Sequence, residues 1–106
     1  MPKDDNMNLI LETLPEHVKM DIKKAVEILK AGGCKDVFIF GSAVDGKYNL
    51  NSDIDLAISG CPQDMFFKLY GKLMMEIKNP IDLVDLDEDS PFVTFLKQNG
   101  SLVYAQ

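Results

Sequence analysis

The chain has 106 residues, 46% hydrophobic and 26% charged, a balance that sets a single domain with one modest core and excludes wholesale disorder. A formal charge of −6 argues against a long nucleic acid as the main ligand, because polynucleotide binding rests on basic surface, yet it leaves room for a nucleotide whose charge is met by cations. No apolar run reaches the roughly 18–20 residues that span a bilayer. The N-terminus MPKDDNMNLILETL lacks a basic-then-apolar leader, so a cytoplasmic protein is expected.

Residues 1–8 are polar and expected to be flexible, and Leu9–Leu14 adds a short helical turn. Thr13-Leu14-Pro15-Glu16 has the form of a capping box with proline in the first turn. Val18, Ile22, Val26 and Leu29 then recur at helical spacing, which predicts a helix over Pro15–Ala31, stopped by Gly32-Gly33. His17 belongs on its surface. Asp36–Phe40 is β-branched and aromatic and reads as a first strand, ending at Gly41. Ser42–Asp45 fits one helical turn, residues 46–51 are turn-rich, and Ser52–Ser59 is a second strand. Phe66, Leu69, Tyr70, Leu73 and Ile77 mark the apolar face of a helix over Gln63–Lys78, with Met74 and Met75 read as core filling beside that stripe. Asn79-Pro80 ends it, and Ile81–Leu86 is a third strand. The acidic run Asp85–Asp89 reads as a solvated loop or a surface for a basic partner. Ser90-Pro91 opens a short helix to Gln98, with Gly100 as its cap, and Ser101–Tyr104 is an extended tail able to pack on the sheet. Cys34 and Cys61 stand apart without metal-ligand spacing and are expected as two reduced thiols.

Chemistry concentrates in Phe38–Leu56, FIFGSAVDGKYNLNSDIDL. In Asp53-Ile54-Asp55 the acids alternate with an aliphatic residue, so on a strand both carboxylates share one face, about 6.6 Å apart along the chain. Like charges so placed repel. A hard dication reverses that sign, because Mg²⁺ takes oxygen ligands and is held by carboxylates together with substrate phosphates. Gly41-Ser42, at the end of a strand, offers close backbone approach, a hydroxyl and N–H groups to a phosphate.

Together, GSAVDG and SDIDL resemble the nucleotidyltransferase signature of the DNA polymerase β superfamily, and the short chain resembles its minimal, single-domain members. The resemblance runs from the first helix to Asn99-Gly100 and Tyr104. It implies an α/β (α+β) fold, a small mixed sheet of about three main strands with helices packed on it, in one domain over residues 1–106. The implied chemistry is transfer of a nucleoside monophosphate from an NTP, with ATP expected from the resemblance, to an acceptor hydroxyl with release of pyrophosphate. Asp53, Asp55 and Asp82 would be the catalytic and metal-holding residues for two Mg²⁺ ions. Gly41 and Ser42 would grip the β- and γ-phosphates, with Lys47 either touching a phosphate or simply solvated.

For Gly41-Ser42 to face Asp53, strands one and two must run antiparallel. The crossover of about twenty residues to strand three then suits a parallel, right-handed unit. That geometry puts a third acid at the start of strand three. Asp82 is there, in a run similar to the family's, and Asp85, of opposite parity, is the alternative. One departure stands out: many relatives carry an arginine after Gly-Ser, and Ala43, Val44 and Asp45 occupy that loop here. Single-domain relatives pair with all-helical HEPN-type proteins as antitoxin and toxin. The resemblance therefore implies a HEPN-type partner whose hydroxyl is the acceptor, met through Met7–Leu14 or Phe92–Tyr104. A homo-oligomer is compatible with the same surface. The competing readings are a non-catalytic antitoxin or scaffold that masks its partner, and an enzyme acting on a small molecule such as an aminoglycoside.

Overall fold

The computed structural model describes residues 3–49, 51–99 and 102–105. Its elements are α1 (Lys3–Glu12), α2 (Glu16–Ala31), β1 (Asp36–Phe40), α3 (Ser42–Asp45), β2 (Ile54–Ser59), α4 (Phe66–Glu76), β3 (Ile81–Asp85), α5 (Pro91–Asn99) and β4 (Val103–Ala105). The sheet order is β3-β2-β1-β4. β1 is antiparallel to β2 and to β4, and β2 is parallel to β3 across the α4 crossover.

Alternation along the strands separates two cores. Val37, Ile39, Ile54, Leu56, Ile58 and Leu83 face the helical layer, where α2 contributes Val18, Ile22, Val26 and Leu29 and α4 contributes Leu69 and Leu73. Phe40 and Ala57 point the other way, onto Val93 and Leu96 of α5. Asp55 and Asp82 each sit two residues from Ala57 and Val84, which belong to that second face.

Several expectations change. A fourth strand, β4, pairs with β1 through Val37–Ala105, Phe38–Tyr104 and Ile39–Val103. It is three residues long, too short for periodicity to announce. A helix, α1, runs over Lys3–Glu12, through the described part of the segment expected to be flexible and into the expected turn, and its Met7 and Leu11 enter the main core. The capping box does not form. Pro15 is the N-cap residue of α2 without a side-chain bond, and Thr13 Oγ1 instead donates to Ile10 O (2.7 Å) at the end of α1. Cys34 and Cys61 are not free thiols but a disulfide. The register explains the meeting: Asp36 pairs with Ser59, so the turn before β1 and the turn after β2 lie side by side. Met74 and Met75 are not core; they are 70% and 88% exposed. At about 100° per residue they lie about 100° and 160° around the helix from Leu73, which faces the core. Gly100 lies outside the described residues. Among those residues, no helix is long and apolar enough to cross a membrane.

Candidate active site

β1 and β2 deliver their site residues to one end of the sheet because they run antiparallel. Phe40, the last residue of β1, pairs with Asp55, the second of β2. Gly41 follows with φ 77° and ψ −147°, backbone that a side chain disfavours. Space forbids one as well: a Cβ there would collide with Asp55 Oδ2 and stand 2.9 Å from its Cγ. The glycine is what lets the Asp55 carboxylate lie against the turn.

From Gly41 the chain makes the single turn α3, in which the Val44 and Asp45 N–H groups donate to Gly41 O (3.0 and 3.1 Å). Gly46 closes it in the left-handed region, φ 79°. The Ser42 hydroxyl is not used as a cap. The return to β2 is held by Asn49, whose Oδ1 accepts from Asn51 N (2.8 Å) and whose N–H donates to Ser52 Oγ (3.1 Å). Asp53 follows just before β2, and its charge acts on Asp55.

The start of β3 is fixed from three sides. Pro80 O accepts from Ile54 N (2.8 Å), Ile81 O accepts from Tyr70 Oη (3.1 Å), and Asn79 donates through N and Nδ2 to Asp21 Oδ2 on α2 (3.0 and 2.6 Å). The parallel register then pairs Asp82 with Asp55. Neighbouring strands are about 4.8 Å apart, so the two carboxylates rise side by side from one face. Asp85 pairs with Ile58, which faces the helical core, and lies toward the far end of the strands. Its Oδ1 accepts from Asp87 N (2.9 Å), while Asp87 Oδ2 accepts from Gly60 N (2.8 Å). Within the acidic run these two residues tie the ends of β2 and β3 together.

Electrostatics link the acids further. The Asp55 pKa is pushed up to about 6, first by burial and then by the charges of Asp82, Asp53 and Asp45. Asp45, on α3, is thus near enough for its charge to act on Asp55, at a position that sequence marked as standing in place of an arginine. Tyr48 is a neighbour that sequence reasoning passed over. Burial raises its phenol pKa first, followed by Asp21 and Asp53, which places it beside the entrance to β2. Lys47 is exposed, its N–H bonded to Ser42 O (3.1 Å), and it makes no ion pair among the described residues.

The donors are all hard oxygens, the set that Mg²⁺ prefers. Among the described residues, no three of these side chains are drawn into one metal-ligand cluster. The acids are neighbours by register and charge.

The fold is a mixed sheet that ends in a Gly-Ser turn set against paired acids. Residues 16–106 match the family described as Polymerase beta, Nucleotidyltransferase, and the chain belongs to that family. Among solved structures it is similar to a toxin–antitoxin crystallised with AMP-PNP, at 25% identity and TM-score 0.62 over 77% of this chain and 69% of that one. It is also similar to a mutant of the toxin–antitoxin MntA-HpeT, at 23% identity and TM-score 0.61 with the same coverages, a likeness of fold. Among curated proteins none matches the chain.

Proposed function

We propose that this protein transfers AMP from ATP to a hydroxyl of a partner protein, and that the partner is a HEPN-type toxin to which it serves as antitoxin. The observation that carries the reading is the register of Asp55 with Asp82, with the Asp55 carboxylate set against the Gly41-Ser42 turn. The likeness to a toxin–antitoxin bound to AMP-PNP supports the class of nucleotide and of partner.

Asp53, Asp55 and Asp82 would hold two Mg²⁺ ions, which when bound offset the triphosphate charge and lower the pKa of the attacking hydroxyl. The residues themselves divide the remaining work. Gly41 and Ser42 hold the β- and γ-phosphates through backbone N–H and hydroxyl groups, with Lys47 at the open side. Asp82, exposed at the start of β3, takes the proton of the acceptor hydroxyl. The acceptor oxygen bonds to the α-phosphorus as the bond to the β-phosphate bridge breaks, and pyrophosphate leaves.

Incubation with the product of the neighbouring reading frame, ATP and Mg²⁺ tests this. The partner should gain the mass of one or more AMP groups, and the gain should vanish with Asp53→Asn. Asp45 favours a second reading, a non-catalytic antitoxin, because it adds negative charge where the triphosphate would lie. Stable association without mass change, and calorimetry without Mg²⁺–NTP binding, would establish that reading instead. No association, with transfer to a small hydroxyl compound, would leave a free-standing enzyme.

A further inference from the structure

The outer face of α4 carries the three most exposed large hydrophobic side chains among the described residues: Phe67 at 83%, Met74 at 70% and Met75 at 88%. With Gly71 they follow i, i+4, i+7, i+8 and so form one stripe. The opposite stripe of the same helix sends Leu69 and Leu73 into the core. A helix apolar on both sides belongs between two layers, and here the fold supplies one. Scattered exposed hydrophobics need no explanation, but a contiguous stripe does.

Gly71 sharpens the point. A Cβ there would meet nothing within 4 Å, so no contact inside the chain requires a glycine. Glycine is among the poorest helix formers, so its place inside α4 calls for a reason. What its missing side chain provides is an opening between Phe67 and Met75 through which another backbone can come close. Beside it a groove of about 570 Å³ runs between α4 and the end of α2, with Ile28, Ala31 and Leu69 among its apolar lining.

The rim has a sign. Lys68 and Lys72 line the groove and are exposed. The one acid on the rim, Glu76, faces Lys24, with Oε1 3.9 Å from Nζ and its carbonyl accepting from the same Nζ at 3.4 Å. Among the described residues Lys68 and Lys72 make no ion pair, so on a chain of net charge −6 this apolar face is bordered by positive charge.

We propose that the groove between α2 and α4 is the docking site for an amphipathic α-helix of another protein, one with Asp or Glu beside its apolar stripe. A helix laid into an apolar groove is a recurring recognition mode, read as anchors at the spacing seen here. Charge complementarity selects the acidic flank. A second copy of this chain is disfavoured, because an antiparallel α4 pair would bring the two lysine rims together. The groove opens on the sheet face opposite Asp55 and Asp82, so a protein anchored there leaves the acids uncovered. The inference rests on α4 and its surroundings, and stands whether or not the chain transfers AMP.

The test is an NMR titration of the full chain with two synthetic amphipathic peptides of about five turns, roughly 18 residues. Both carry the same Leu/Ile stripe, flanked by Glu in one and by Lys in the other. The Glu peptide should give saturable shifts confined to α4 and the end of α2, and should bind at least about tenfold more tightly than the Lys peptide. The double variant Phe67→Ser, Met75→Ser should lose about tenfold in affinity for the Glu peptide while keeping its melting temperature, since both side chains are already in water. Lys68→Glu with Lys72→Glu should reverse the preference. Equal binding of both peptides, shifts elsewhere, or no saturable binding would overturn the proposal. So would dimerisation of the free chain that Phe67→Ser, Met75→Ser abolishes, which would make the occupant a second copy.

Discussion

At residue 55 an acid sits where burial and three neighbouring carboxylates all oppose its charge, which is why its pKa rises to about 6 from an ordinary 3.8. Because the folded pKa lies above the unfolded one, the folded state binds the proton more tightly. Stability therefore falls as pH rises from about 4 to about 6, and the penalty is complete above that window. Asp55→Asn removes the charge and keeps the shape. In metal-free buffer the variant should melt at a higher temperature than wild type at pH 7.5, with the difference closing by about pH 4. Mg²⁺ should raise the wild-type midpoint more than that of the variant, whose nucleotide transfer should fall below detection. Thermal melts across pH, with and without Mg²⁺, read all of this. A variant no more stable than wild type at pH 7.5 would contradict the crowding of acids around Asp55.

At the scale of elements, α2, α4 and β3 are joined at one corner by the Asp21–Asn79 contacts. Asn79 ends the crossover, and Asp82 follows three residues later, so this corner sets where the third acid enters the site. Asp21→Ala leaves a half-buried amide and a backbone N–H without that partner, at an expected cost of about 1–3 kcal/mol. Urea unfolding should show the loss, with nucleotide transfer reduced further than stability alone predicts because Asp82 loses its support. Asp87, whose carboxylate accepts from Gly60 N, plays the corresponding part at the other end of the strands. The acidic run thus contains structural acids as well as surface charge, a distinction that composition cannot make.

For the whole molecule, the disulfide closes a loop between residues 27 apart and joins the turns before β1 and after β2. In the chain-entropy account such a loop contributes about 3.5 kcal/mol. Reduction should lower the unfolding midpoint in urea correspondingly. Nucleotide binding under native conditions should persist, because the bond lies at the opposite end of β1 and β2 from Gly41 and Asp53. An unchanged midpoint after complete reduction would mean that the β1–β2 ladder holds the two turns without it.

Sequence alone determined the parts governed by local period and turn chemistry. Alternation placed Asp53 and Asp55 on one face, Gly41 marked the end of β1, and helical spacing set the buried sides of α2 and α4. The crossover length then indicated a parallel β2–β3 pair. Tertiary structure decided what depends on residues far apart. Whether Cys34 could reach Cys61 turned on the antiparallel register of Asp36 with Ser59. Whether residues 103–105 joined the sheet turned on the open edge of β1. Met74 and Met75 show the limit most clearly. An apolar residue next to an apolar stripe has the same local signature whether it fills a core or waits at a surface, and only the position of the neighbouring layer separates the two.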